Sequence, residues 1–461
     1  MILTNVVAAA NAKLEGGIAV DGLGNVYVTG SSMGSGSASD YATVKYNSSG
    51  AQQWVARYNG PANGEDVAYA ITRDSAGNIY VTGSSLGLGT GLDFATIKYN
   101  SSGVQQWTKR YNGPANGEDI AYAITVDSAG NVYVTGSSSG GGSRLDYATV
   151  KYSSSGTQLW VARYNGPGNI DDISYAITVD CSGNVYVTGS SMGSGTGLDY
   201  ATIKYNSSGT QQWASRYNGP GGVDDIAYSL ALDCCENVYV TGSSFGWGTG
   251  LDYATIKYDS SGLQQWAARY NGPASIDDIA YALAIDMSGN IYVTGSSLGS
   301  GTGLDYATIK YDPSGSQQWV SRYNGPANSD DFAYSLAVDI SGGVYVTGGS
   351  TGSGTALDYA TVKYDPSGAQ TWASRYNGPA NGDDQANALA IDGSGNVYVT
   401  GTSLGSGTGF DYATIKYNSG GTQQWASRYN GPGNNDDVAR IFDLRRNTRI
   451  AFASLNATWL F

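Results

Sequence analysis

Pairs of adjacent acids recur along the 461-residue chain: Glu65–Asp66, Glu118–Asp119, Asp171–Asp172, Asp224–Asp225, Asp277–Asp278, Asp330–Asp331, Asp383–Asp384 and Asp436–Asp437. A second series of single acids runs from Asp40 and Asp93 through to Asp411. Carboxylates gathered in a ring suit a hard cation, because calcium draws its several oxygens from carboxylates and backbone carbonyls. Asp66, Asp119, Asp172, Asp225, Asp278, Asp331, Asp384 and Asp437 are therefore candidate ligand contacts, with Ca2+ as the candidate metal and no other cofactor implied. A second role is open to them: Asp side chains accept loop N–H groups and fix turns. No D-x-D-x-D calcium loop is present.

Other chemistry is thinner. The chain has no histidine, which removes a serine triad or a histidine-based zinc site. Lys45 and Arg57 each have seven counterparts, and those sixteen make up most of the 24 basic residues. Placed on neighbouring strands, they are expected to pair with the acids, each pair contributing little at a surface. Trp247 is the only tryptophan of the repeat region outside the 53-residue series, and an exposed loop tryptophan can stack on a sugar or fold back onto its own sheet. Cys181, Cys234 and Cys235 are odd in number and do not recur, so no disulfide framework is expected.

The elements that position these residues follow from one period. Trp54, Trp107, Trp160, Trp213, Trp266, Trp319, Trp372 and Trp425 are each 53 residues apart, with no insertion between them. Around Trp319 the unit runs from Asp277 (DDIAYALAID) through Ser288 (SGNIYVTGSS) and Leu304 (LDYATIKY) to Gln317 (QQWVSRYNGP). Each piece is β-branched and aromatic and is bounded by Gly, Asn, Asp or Pro, which predicts four short strands, A to D. Ala282–Asp286 is small and apolar, as the crowded innermost strand requires. All 37 tyrosines fall in five columns, represented by Tyr27, Tyr41, Tyr46, Tyr58 and Tyr69, and are expected to pack between sheets.

A sheet with two apolar faces needs a neighbour on each side, and a linear stack needs polar caps. The first and last units keep the apolar columns (Tyr46 and Trp54, Tyr417 and Trp425), so the stack is expected to close. The fold class is all-β: a closed eight-bladed β-propeller with four antiparallel strands per blade. Residues 1–13 form an N-terminal extension, 14–439 the propeller and 440–461 a non-repeat tail. Met1–Ala12 ends in Ala10-Asn11-Ala12, which resembles a signal-peptidase site but lacks a basic leader; it reads as a processed remnant or as a short strand.

The pattern D-x-A-x-A-I-x-V-D-x-x-G-N-V-Y-V-T-G, followed by D-Y-A-T-V-K-Y and a tryptophan strand, resembles the bacterial SBBP-type β-propeller repeat. That resemblance implies an extracellular or cell-surface propeller and brings no catalytic residues. The family label refers to seven blades, and the present sequence carries eight.

Two tight turns (Asp286–Asn290 and Asp312–Gly315) are expected on one face, and two connections about twice as long (Ser296–Gly303 and Asn324–Asp331) on the other. The long-loop face is the candidate binding face. Near-eightfold symmetry and the missing histidine argue for a non-enzymatic scaffold that binds a glycan, surface polymer or protein multivalently. The alternatives are a purely structural or self-assembling surface protein and, further off, a quinoprotein-like oxidoreductase. The last rests on Y-D-P-S-G-S-Q-Q-W and on Cys234–Cys235. A net charge of −14 argues against nucleic acid as a partner. No apolar run reaches the ~20 residues of a membrane span, and a monomeric ring is expected.

Overall fold

The computed structural model describes residues 17–439. Seven sheets have four strands, and the eighth has five because its innermost strand is assembled from two chain segments. Every sheet is antiparallel and runs A-B-C-D in chain order. In blade 2 the strands are Asp66–Arg73, Ile79–Leu86, Leu92–Tyr99 and Gln105–Tyr111. The chain is thus an eight-bladed propeller, and no described helix is long and apolar enough to cross a membrane. The expected boundaries at residues 1–13 and 440–461 fall outside the described residues.

Strands A and B start and end differently from the sequence reading. In blade 6 strand A runs Asp278–Ile285, four residues earlier than expected, and strand B reaches Leu298. The serines Ser296 and Ser297 looked like loop because they are polar, yet Ser297 pairs with Asp278 on one side and Asp305 on the other. The B–C loop is consequently only residues 299–303, no longer than the A–B turn at 286–290. The D–A connection at 324–330 is the one longer loop. Strand alternation still places B–C and D–A loops on one face and both tight turns on the other.

Strand A carries a bulge in blades 2 to 8. In blade 2 Ala68 pairs with Gly83 and Ala70 with Thr82, so Tyr69 is the extra residue. Gly83 has no room for a side chain: a Cβ there would run into the Val67 carbonyl oxygen and lie 2.9 Å from the Tyr41 hydroxyl of blade 1. The extruded tyrosines of six successive blades, Tyr69, Tyr122, Tyr175, Tyr228, Tyr281 and Tyr334, meet at tilted angles around the axis, with ring centroids 5.5–5.8 Å apart. Asn387 takes that position in blade 8. The fifth tyrosine column therefore packs around the centre.

The apolar core is a set of equivalent clusters, one per blade interface. Between blades 1 and 2, Tyr27 and Tyr41 of one sheet meet Ile71, Ile79, Val81 and Ile97 of the next. Trp54 closes the outer end, where its indole N–H donates to the Ser101 carbonyl of blade 2 at 3.2 Å. Its ring lies over the tight turn of that blade, 2.6 Å from where a Cβ on Gly103 would stand. Gly103 has φ +80°, a conformation that glycine adopts without strain. The same indole bond recurs at the ring junction, from Trp425 of blade 8 to Ser48 of blade 1 at 3.1 Å.

Candidate functional site

The paired acids sit where strand A begins, and the two members do different things. The second acid is buried: Asp66, Asp119, Asp172, Asp225, Asp331, Asp384 and Asp437 have no exposed surface and Asp278 has 1%. Asp66 accepts the N–H of Gly60, six residues upstream in its own D–A loop, at 2.5 Å, and Asp119 accepts that of Gly113 at 2.6 Å. In blades 3, 4, 5 and 7 the other oxygen accepts a strand B terminus, as in Phe245 N–H to Asp225 at 3.0 Å. Burial raises the pKa of these carboxyls above the usual range, and for Asp225 the value reaches about 6 despite hydrogen bonds from Ser244, Gly219 and Phe245. The strand C acid of the preceding blade adds to the effect.

The first acid of the pair acts outward along the ring. Asp224, Asp277, Asp330, Asp383 and Asp436 accept the N–H that opens strand C of the preceding blade, from Leu198, Leu251, Leu304, Leu357 and Phe410, at 3.0–3.3 Å. Five of the D–A loops are thereby latched to the strand C start beside them. Among the described residues, no three of His, Cys, Asp and Glu come together in a way that would hold a metal ion.

The arginine column completes an inter-blade seam. Arg110 donates to Asp93 at 2.7 Å, to the Ser85 carbonyl at 2.8 Å, to the Ser85 hydroxyl, and across the seam to Tyr58 of blade 1 at 3.1 Å. The equivalent Arg–Asp pair recurs in all eight blades at 2.7–2.9 Å. These are not the surface pairs of little weight that their repetition suggests: the aspartates are largely buried and the guanidinium has four partners. Such a multiply bonded charge costs far more to break than an exposed pair. Two of the lysines pair with an acid, Lys204 with Glu236 at 3.5 Å and Lys363 with Asp339 at 4.0 Å. All eight lie over a strand B tyrosine ring, Lys45 over Tyr27 at 5.1 Å, and Lys45 also donates to the Ser101 carbonyl of the next blade.

What remains on the outside of the B–C and D–A face is not symmetric. Trp247, in the B–C loop of blade 5, is 80% exposed, and its indole N–H donates to the Pro220 carbonyl of the adjoining D–A loop. Phe245 at the end of strand B, Val223 on the same D–A loop and Ile276 on the next are also exposed. An open cleft of about 410 Å3 lies at the B–C loop of blade 3, lined by Glu118, Ser139, Arg144, Leu145 and Asp171. Arg144 pairs with Asp171 there at 3.3 Å. The acid columns signalled position in the repeat, whereas Phe245 and Arg144 were visible only as departures from it.

A family model described as Beta-propeller repeat, SBBP, matches residues 16–36, 53–89, 106–142, 159–195, 265–301, 318–354 and 372–407, together more than half of the chain. The chain belongs to the SBBP β-propeller repeat family. The matched stretches contain the A–B turns of seven blades of this SBBP propeller; residues 196–264, most of blade 5 among them, fall between matches. An uncharacterized WD repeat-containing protein, L264, of Acanthamoeba polyphaga mimivirus is 25% identical over 448 residues, which cover 78% of this chain and 31% of that protein. The chain thus spans about a third of that relative's length. Solved structures similar to it include a eukaryotic initiation factor (TM-score 0.43, 9% identity, 87% of this chain and 96% of that one). Another is the β-propeller domain of the Trilobed protease from Pyrococcus furiosus (TM-score 0.39, 8% identity, 78% of this chain and 98% of that one).

Proposed function

We propose that this SBBP propeller is a non-catalytic scaffold that binds a glycan, surface polymer or protein through the face formed by its B–C and D–A loops. One observation carries the reading. The second acid of each pair is buried and the arginines are paired at the blade seams, while Trp247 is exposed on that face with Phe245, Val223 and Ile276 exposed beside it. Buried acids locked to loop N–H groups hold loops still, and a rigid frame presenting adaptable loops is how binding propellers and other scaffolds work. Eight loop pairs at fixed spacing would let a repetitive polymer engage several at once, so weak single contacts gain by avidity. The family resemblance supports a location outside the cell or on its surface, and a monomeric ring is enough to do the work.

The test is a glycan and cell-surface polymer array probed with the full chain, alongside a Trp247→Ala variant. Binding by the parent that weakens at least tenfold in the variant supports the reading. An array on which the two proteins bind equally, or a turnover of any arrayed ligand, rejects it.

A further inference from the structure

The tight-turn face carries one break in the repeat that the binding reading does not use. Seven A–B turns read Asp-x-(Ser/Ala/Leu)-Gly followed by Asn or Gly, and in all seven the glycine has φ between 76° and 83°. Blade 5 instead reads Asp233-Cys234-Cys235-Glu236-Asn237. Glu236 adopts φ 61° where the others use glycine, a conformation that costs a non-glycine residue about 1 kcal/mol. The hairpin nevertheless keeps its form: the Asp233 carboxylate accepts the N–H of Cys235 at 2.8 Å and of Asn237 at 2.9 Å. Glu236 is tied to blade 4 through Lys204 at 3.5 Å.

Two exposed thiols are therefore held side by side on a pinned turn, with Sγ atoms 3.8 Å apart. A disulfide between them is disfavoured. Neighbouring residues across a trans peptide have Cα atoms about 3.8 Å apart, short of the ~4.4–6.8 Å that disulfides span; no cis peptide occurs among the described residues. Bridging by a third atom meets no such obstacle, since two thiolates at about 2.3 Å from a tetrahedral centre stand about 3.8 Å apart. Among the described residues no third ligand joins the two sulfurs, which suits a centre satisfied by two.

We infer that Cys234 and Cys235 form a dithiol chelation site for a thiophilic centre, of the class represented by mono-substituted trivalent arsenicals. With the hydrated form R–As(OH)2, two S–H bonds and two As–OH bonds break, two As–S bonds form, and two waters leave. Arsenic stays trivalent, so no oxidant or reductant takes part. Cys181 occupies the position of Cys234 on the A–B turn of blade 4, is equally exposed, and has no adjacent thiol, which makes it an internal control.

The full chain, reduced, is treated with phenylarsine oxide, and free thiols are counted alongside intact mass. The expected result is one adduct per chain and a fall from three reactive thiols to one. The adduct should survive excess mercaptoethanol and be released by dimercaptopropanol. Cys234→Ser and Cys235→Ser should each abolish the monothiol-resistant adduct, and Cys181→Ser should retain it. Serine already stands at these turn positions in other blades (Ser75 and Ser288), so the variants keep their fold. Stripping by mercaptoethanol, persistence in either single variant, loss in Cys181→Ser, or one arsenic shared by two chains would overturn the inference.

Discussion

A carboxylate earns its protonation state from its surroundings, and Asp225 shows how far a repeat position can move. Burial lifts its pKa to about 6, against about 3.9 for an unfolded chain. A raised folded pKa means the folded state holds the proton more tightly. The associated stability is complete below about pH 4 and is lost as pH rises through about 6, a loss on the order of 3 kcal/mol. Asp225→Asn cannot titrate, but its amide must face either Gly219 N–H or Phe245 N–H, both of which now donate to the carboxyl. We expect the variant to be about 1–3 kcal/mol less stable near pH 4. The gap should narrow by pH 7, because only the parent loses the Asp225 contribution over that span. Calorimetry at the two pH values checks both parts; a constant gap would place the carboxylate, not the acid, in the fold. The same geometry predicts that EDTA leaves the melting temperature unchanged, and a drop would put calcium at the acid pairs.

Those acids were easy to find in the sequence and hard to interpret. Their period marked them, and both roles, cation ring and turn anchor, were open. The deciding fact is that strand A begins at the second acid, so Asp66 and its counterparts point into the blade and reach Gly60-type N–H groups six residues back. Polarity misled at the same spot, since Ser84 and Ser85 read as loop although both pair within strand B. A serine beside a buried Arg–Asp pair is satisfied without water, and a single sequence does not display that partner.

At the scale of the element, the strand A bulge depends on a glycine opposite it. Gly83→Ala would drive a methyl into the Val67 carbonyl, which is backbone and cannot swing aside. We expect a loss of about 3 kcal/mol. Gly22, in an A–B turn with nothing within 4 Å of where a Cβ would stand, is the control. Gly22→Ala should stay within about 0.5 kcal/mol of the parent. Urea unfolding of the two variants measures the difference, and equal midpoints would mean the bulge relaxes at little cost. The sequence announced the glycine column through the repeated V-T-G, but not its reason. That reason lies in a pairing register, Ala68 to Gly83 and Ala70 to Thr82, which alternation alone does not reveal.

At the scale of the whole molecule, the ring closes through a divided strand. Ile18–Val20 pairs with Val26–Val28, and Asp437–Val438 continues the same edge by pairing with Ser31 and Ser32. A short first strand A and an extra last one thus complete each other. The junction then repeats every inter-blade bond: Asp437 accepts Gly431 N–H at 2.5 Å, Arg57 reaches Tyr429 at 3.1 Å, and the Tyr412 hydroxyl reaches the Ala42 carbonyl at 3.4 Å. Ending the chain after Asn435 removes Asp437 and Val438 together, leaves strand B of blade 1 half unpaired, and frees the blade 8 loop. Exposed apolar faces and an open edge should lower stability by several kcal/mol. A second truncation after Ala439 keeps the closing strand and its Asn387-to-Ala439 bond at 2.7 Å. The shorter chain should melt well below the longer. Identical melting of both truncations and the parent would mean that the blades hold the ring shut without the shared strand.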